Sequence, residues 1–222
     1  MKTLYIEARS KKQIPLNNLG RIKEKKIGLI STIQHLSQLP RVKAELENQG
    51  KKVFLAKGIL TKYKGQILGC DVSAGLKIAD KVRAFLYLGT GEFHPLALAL
   101  KIKTEKPIYL LSPNGRLELF PQKKVEKFFK QKKAAYLHFL HENRIGIIVS
   151  IKPGQENLKT ALFVKEKLQR KGKKAFIFLC DAIPFDELEN FKCNVWINTA
   201  CPGLQFEKNF LNVADISDFL NS

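Results

Sequence analysis

The chain repeats itself. Ile27-Gly28-Leu29-Ile30-Ser31, a helical stretch and then Gly50-Lys51-Lys52-Val53-Phe54-Leu55 return as Ile145-Gly146-Ile147-Ile148-Val149-Ser150, a second helical stretch and Gly172-Lys173-Lys174-Ala175-Phe176-Ile177. A repeat of this kind constrains architecture first, because each copy must build the same supersecondary unit. The runs at Ile27 and Ile145 are continuously apolar, the pattern of a strand buried on both faces of a parallel sheet. Parallel neighbours need long crossovers, usually helices. The fold class is therefore α/β, with two related domains, each a parallel sheet flanked by helices. The turn Pro113-Asn114-Gly115 places the boundary, giving domains 1–115 and 116–222.

The pass along the chain fills in this frame. Strands are expected at Leu4–Ala8, Ile27–Thr32, Val53–Ala56, Gln66–Cys70, Ala84–Leu88, Ile108–Leu111, Ile145–Ser150, Ala175–Leu179 and Val195–Thr199. Helices are expected at Gln38–Asn48, Pro95–Lys101, Gln122–Asn143, Glu156–Arg170 and Phe185–Phe191, with helical turns near Ser73–Lys81 and Ile216–Leu220.

Charge bears on partners. Lys and Arg number 39 against 20 Asp and Glu, a net charge of +19, and most of the excess lies before Arg116. Such a field favours an acidic partner, either nucleic acid or an acidic protein. A lysine-rich solvated surface is the commoner reading, including for Lys123, Lys124, Lys127, Lys130, Lys132 and Lys133 of the Gln122 helix, where a phosphate-binding face is the alternative. The first residues carry no apolar core of a signal peptide, and no apolar run is long enough to span a bilayer. A cytoplasmic location without membrane attachment is the expectation. Four cysteines in that setting favour metal or catalytic roles over disulfides.

Two of those cysteines close apolar runs, Cys70 after Gln66-Ile67-Leu68-Gly69 and Cys201 after Val195-Trp196-Ile197-Asn198-Thr199-Ala200. Thiolate is a soft ligand suited to zinc or iron–sulfur centres. Both runs are read as strands equivalent in the repeat. Open parallel sheets bind ligands beyond the carboxyl ends of their strands, so the two thiols are grouped as metal ligands. Cys180 also ends a strand and its role is open, whereas Cys193 lies in a loop. The spacing C-x-x-C is absent. Gly89-Thr90-Gly91 precedes a helix whose first amides suit a carboxylate or phosphate, and His94 follows. Gln34 and His35 follow the strand at Ile27, and Lys152 and Gln155 follow its repeat partner at Ile145. Those seven residues, Gly89, Gly91, His94, Gln34, His35, Lys152 and Gln155, form the candidate cofactor- or substrate-binding set. No catalytic nucleophile or base is assigned, because nucleophile-elbow, Walker, H-E-x-x-H and kinase signatures are missing.

These stretches resemble one family. Ser31-Thr32-Ile33-Gln34-His35, Gly65–Ala74, Phe85–Pro95, Ser150–Gln155 and Trp196–Pro202 occur in the order found in diphthamide synthase, the 2-(3-amino-3-carboxypropyl)histidine synthase family of non-canonical radical-SAM enzymes. The resemblance implies a transferase of three related domains, each giving one cysteine to a 4Fe-4S cluster. It implies S-adenosylmethionine as substrate, cleaved reductively at the Cγ–S bond, and elongation factor 2 as the protein whose histidine is modified. Under it Cys70 is the middle domain's ligand and Cys201 the last domain's. Leu4–Arg9 looks like the entry to the middle domain, so the family's first domain is expected on a separate chain, in a homo- or hetero-oligomer. Gly203 stands where the family usually has arginine. The alternatives are a non-catalytic stabilising subunit of that complex and a basic RNA-binding protein on the same fold.

Overall fold

In the computed structural model the described residues are 4, 6–102, 106–182, 185–201 and 209–222. The chain divides into two compact units, Met1–Val125 and Glu126–Ser222.

The first unit is a five-stranded sheet in the order β2-β1-β3-β4-β5. Its strands are β1 (Lys26–Ser31), β2 (Lys52–Phe54), β3 (Ala84–Leu88), β4 (Ile108–Leu111) and β5 (Leu117–Leu119). The first four run parallel, in registers such as Ile27 with Ala84 and Leu86 with Tyr109. Every residue of β3 is buried, which requires cover on both faces. One face carries Leu39, Val42 and Leu46 of α1 (Leu39–Asn48) against Ile27, Leu29, Leu86 and Leu88. The opposite face packs Leu98 of α3 (Phe93–Ile102) and Ala74 of α2 (Ser73–Leu76) against Ile30, Phe85 and Tyr87.

The second unit is a four-stranded parallel sheet in the order β7-β6-β8-β9, with β6 (Arg144–Ser150), β7 (Lys174–Cys180), β8 (Val195–Asn198) and β9 (Phe210–Asn212). Phe139 of α4 (Gln122–His141), Ala161, Val164 and Leu168 of α5 (Leu158–Arg170) and Leu220 of α7 (Ser217–Asn221) close one face. Leu188 of α6 (Phe185–Leu188) and Cys193 lie over Ile148, Trp196 and Phe210 on the other.

The repeat survives at atomic detail. Gly28 of β1 pairs with Phe85, and a Cβ on Gly28 would stand 2.7 Å from that ring. Gly146 of β6 pairs with Trp196, and a Cβ there would stand 2.2 Å from the indole. Each central strand thus keeps glycine because the next strand lays an aromatic ring across it. Strand order matches too: β1, β2, β3 and β4 correspond to β6, β7, β8 and β9.

Several expectations change. Residues 66–70 form no strand; Gln66 makes one isolated bridge to Ser31 and the chain then turns. Leu4 and Ile6–Ala8 are described without strand, and Tyr5 lies outside the described residues. The sheets contain two strands absent from the sequence reading, β5 and β9. The turn at Gly115, whose amide donates to Ser112 O at 2.9 Å, joins β4 to antiparallel β5, so residues 117–119 belong to the first sheet. The supposed equivalence of Cys70 and Cys201 also fails. Cys70 lies in the crossover from β2 to β3, whereas Cys201 follows β8, the counterpart of β3. By topology Cys180, the last residue of β7, is nearer in kind to Cys70.

Candidate ligand site at the β1–β3 end

In sheets of this order the crossovers leave β1 and β3 in opposite directions, opening a crevice beyond their carboxyl ends. Ser31 closes β1 there, its hydroxyl donating to Leu88 O at 2.9 Å and its carbonyl accepting from Ile67 N at 2.9 Å. This second bond brings the segment carrying Cys70 to the crevice.

Cys70 is exposed and sits in a tight turn. Leu68 N donates to Asp71 O at 2.8 Å and Asp71 N to Leu68 O at 3.2 Å. Asp71 is 6% exposed, and its carboxylate accepts from Leu60 N at 2.6 Å and Ser73 N at 2.9 Å. Burial opposes its ionisation, but the hydrogen bonds from Ser73 and Leu60 prevail, and its pKa falls below the usual value. A buried carboxylate so satisfied fixes both the Cys70 turn and the neighbouring 58–62 turn.

The same turn touches α3. A Cβ on Gly69 would lie 1.9 Å from the Phe93 ring, so the ring seats directly on the glycine. Phe93 meets His94 edge to face at 5.1 Å between centroids, and His94 stacks on Tyr87 at 6.0 Å and 21°. The Tyr87 hydroxyl stands 3.4 Å from His94 Nδ1 and 3.4 Å from Thr90 O. Burial pushes the Tyr87 pKa up to about 12, against a side-chain hydrogen bond with Thr32, and burial lowers that of His94. At neutral pH the phenol is protonated and the imidazole neutral. Gly89 has φ +154°, and a Cβ there would meet the Tyr87 oxygen at 2.5 Å. Gly91 has φ +71°, a conformation glycine adopts without strain.

The candidate residues are thus only partly assembled. Cys70, Gly89, Gly91 and His94 belong to one structural corner of the first unit. Gln34 lies in the 3-10 turn after β1 (Ile33–Gln38) and its carbonyl accepts from Ser10 N at 2.8 Å. His35 of the same turn is 2% exposed, and among the described residues neither ring nitrogen meets a hydrogen-bond partner. Burial lowers its pKa as well.

The second unit holds the remainder. Lys152 and Gln155 form a turn after β6, with Gln155 N donating to Lys152 O at 3.0 Å. The charge of Lys152 reaches Cys180, whose pKa burial raises and Lys152 opposes. Cys201 is half-buried, in a turn organised by Asn198. The Asn198 amide donates to Cys201 O and Asn212 Oδ1, both at 2.8 Å, while its oxygen accepts from Ala200 N at 2.9 Å. Pro202 and Gly203 lie outside the described residues. Sequence reasoning passed over Thr32, Tyr87, Asp71 and Asn198. The string Cys70-Asp71-Val72-Ser73 held the one usable signal, an Asp two residues before a Ser at a helix start.

A family model of diphthamide synthesis proteins matches residues 1–211. The chain belongs to the diphthamide synthesis protein family. Its relatives include the 2-(3-amino-3-carboxypropyl)histidine synthase of Pyrococcus horikoshii, 32% identical over 190 residues, covering 83% of this chain and 53% of that protein. Subunit 1 of the corresponding synthase of Yarrowia lipolytica is 29% identical over 189 residues, covering 82% of this chain and 41% of the relative. The crystal structure of Dph2 from Pyrococcus horikoshii with a 4Fe-4S cluster superposes with a TM-score of 0.76 at 29% identity, covering 92% of this chain and 60% of that one. The chain therefore spans about half the length of the curated relatives it matches. This family fold is α/β, as the repeat implied. Among the described residues no helix is long and apolar enough to cross a membrane.

Proposed function

We propose that this chain is a cytoplasmic subunit of a 4Fe-4S enzyme of diphthamide biosynthesis, transferring the 3-amino-3-carboxypropyl group of S-adenosylmethionine to a histidine of elongation factor 2. Its two units would correspond to the middle and last domains of the family. The observation that carries the reading is Cys70. A relative at 29% identity holds a 4Fe-4S cluster, and this chain presents an exposed thiol on a built turn, at the end of the sheet where such folds bind ligands.

The residues fit such a group. Cys70 and Cys201 would hold it as thiolates, each on a turn fixed by a buried polar side chain, Asp71 or Asn198. When bound, the cluster supplies the electron that breaks the Cγ–S bond of the sulfonium. The residues of this chain then bind and orient. Gly89 and Gly91 let the backbone approach the ligand, and the first amides of α3 suit its carboxylate. His94 presents a neutral ring beside them. Lys152, Gln155, Gln34 and His35 complete the proposed binding set, with Lys152 as a fixed positive charge.

In this proposal a third thiolate comes from the family's first domain, supplied by a partner chain in a homo- or hetero-oligomer; relatives named as subunit 1 support an assembly of more than one chain. The second reading is a non-catalytic subunit that stabilises the complex. Anaerobic reconstitution separates them. Iron content and cluster absorbance are measured on the chain alone and with a first-domain partner, alongside methylthioadenosine release and histidine modification. Cluster formation that depends on Cys70 and Cys201 supports the enzyme reading. Full activity of the complex with both cysteines replaced by Ala supports the stabilising one.

A further inference from the structure

The amino end of the first sheet carries a row of cations. The register pairs Lys26 with Lys52. One residue before the pair Ile27 and Ala84, Arg83 stands on the other side of Lys26, its N donating to Lys26 O at 2.8 Å. All three residues are exposed, and residues opposite one another in register point to one face of the sheet. Lys23, Lys25 and Lys81, exposed as well, flank the row. None of the six joins an ion pair among the described residues. Neighbouring strands lie about 4.8 Å apart, so three like charges stand within about 10 Å. Like charges directly opposite one another destabilise a sheet, so the fold itself gains nothing from this row. Nor does it guard against edge pairing, a task for lysines on edge strands, because β1 and β3 are inner strands.

The repeat supplies an internal control. At the equivalent end of the second sheet Arg144 pairs with Lys174, and Asn194 stands where the first sheet has Arg83. There Glu142 accepts from Arg144 N at 3.0 Å and from the Asn194 amide at 2.8 Å, and the Arg144 guanidinium lies over Phe176 at 4.9 Å. The counterpart of Glu142 in the first unit is Glu24, which is half-buried, with one carboxylate oxygen buried and unmet among the described residues. The topology therefore permits a balanced end, and the first unit departs from it.

We infer that this end of the first sheet binds the phosphate backbone of a nucleic acid strand through Lys26, Lys52 and Arg83. Protein interfaces are rich in aromatic side chains and poor in lysine. Here five of the six cations are lysines, and the residues that open β1, β2 and β3 include none of the large exposed hydrophobic side chains. Lysine meets phosphate as a point charge and carries no fork for reading bases, so the binding is independent of sequence. The row lies at the opposite end of β1 from Ser31 and the ligand crevice, and the inference stands apart from the enzyme reading.

The test uses the full chain and a fluorescein-labelled single-stranded RNA of mixed sequence, followed by fluorescence anisotropy. Binding should weaken steeply with salt. Combining Lys26→Gln, Lys52→Gln and Arg83→Gln should weaken it about a hundredfold at about 0.1 M salt and flatten the log–log salt slope by about 2, since each phosphate contact contributes about 0.7. The urea midpoint of that variant should be equal or higher, because like-charge repulsion is relieved. Lys26→Gln alone should cost about fivefold on the same scale, which keeps the test open if the triple variant fails to fold. Removing three charges from the exposed face of α4, by Lys127→Gln, Lys130→Gln and Lys133→Gln, should change affinity by less than about threefold. An equal loss in that variant overturns the inference, because net charge rather than the row would then bind. Polyglutamate that displaces the RNA at matched charge would mark an acidic protein as the partner and overturns it too. No binding at about 50 mM salt, where such contacts are strong, does the same.

Discussion

The ring of Phe93 fills the space that a side chain at Gly69 would need, with a Cβ at Gly69 falling 1.9 Å from Phe93 Cε1. This one contact fastens the turn of Cys70 to the first turn of α3, and hence to His94. The residues are far apart in sequence, and each looks unremarkable alone. Their contact turns a thiol, a glycine-bounded turn and an imidazole into one corner of the fold.

Gly69→Ala should therefore act on geometry as well as stability. Overpacking of a tight contact costs about 1–3 kcal/mol, and relief requires Phe93 or the Cys70 turn to move. The expected outcome is a lower urea midpoint and a changed rate of Cys70 alkylation in the native protein. Combined with Phe93→Leu, the loss should be partly recovered, because contacting residues couple in a double-mutant cycle. Strict additivity of the two substitutions would show that the ring and the glycine do not interact in solution.

A second prediction concerns pH. Burial lowers the pKa of both His35 and His94 from the ordinary 6.5. The unfolded chain therefore takes up these protons before the folded chain does. Stability is fully present above pH 6.5 and is lost as pH falls through the lower folded values. Denaturation midpoints measured between about pH 7.5 and 5 should decline. His35→Leu should flatten that decline, and should also raise stability at neutral pH, since it replaces buried polar nitrogens that meet no partner among the described residues. An unchanged slope in His35→Leu and His94→Phe alike would assign the acid sensitivity to other groups.

Lys173 offers a test in the second unit. It is 8% exposed, and its ammonium donates to the carbonyls of Phe139 at 3.0 Å, Leu140 at 3.1 Å and Glu142 at 2.7 Å. These are acceptors at the end of α4 that the helix itself leaves unmet. Lys173→Met keeps the stem and removes the donors, so about 2 kcal/mol should be lost in a urea titration. A loss under about 0.5 kcal/mol, the range of ordinary surface substitutions, would mean that water satisfies the helix end.

How much of this was legible follows from the length and pairing of each element. β1, β3 and β6 announce themselves because strands covered on both faces must be apolar throughout, and the glycines at 28 and 146 recur with them. β5 and β9 have three residues each, too few for a period, and only their partners β4 and β8 define them. The mistaken repeat equivalence of Cys70 and Cys201 came from taking chain order for topology. Residues 66–70 are apolar enough for a strand, but a tight turn and a bond to β1 use their backbone instead. Asp71 was legible only in its local bond to Ser73 N, and its hold on Leu60 N, like that of Asn198 on Asn212, is set by tertiary structure.

The last prediction isolates Asn198. Its side chain ties Cys201 O, Ala200 N and Asn212 Oδ1 together through three hydrogen bonds of 2.8–2.9 Å. Asn198 is 3% exposed, so these bonds are its means of satisfaction in the core. Asn198→Ala removes all three while leaving the thiol itself untouched. The expected outcome is faster alkylation of Cys201 in the native chain, with less iron retained after anaerobic reconstitution with a first-domain partner. Asn198→Asp separates geometry from charge, since it keeps the acceptor for Ala200 N but cannot donate to Cys201 O. Iron retention should then fall towards the Ala level, because the bond that fixes the carbonyl of the thiol-bearing residue is the one lost. If both variants retain iron as the wild type does, while Cys201→Ala does not, the thiol matters but its turn needs no holder, and the positioning role of Asn198 is wrong.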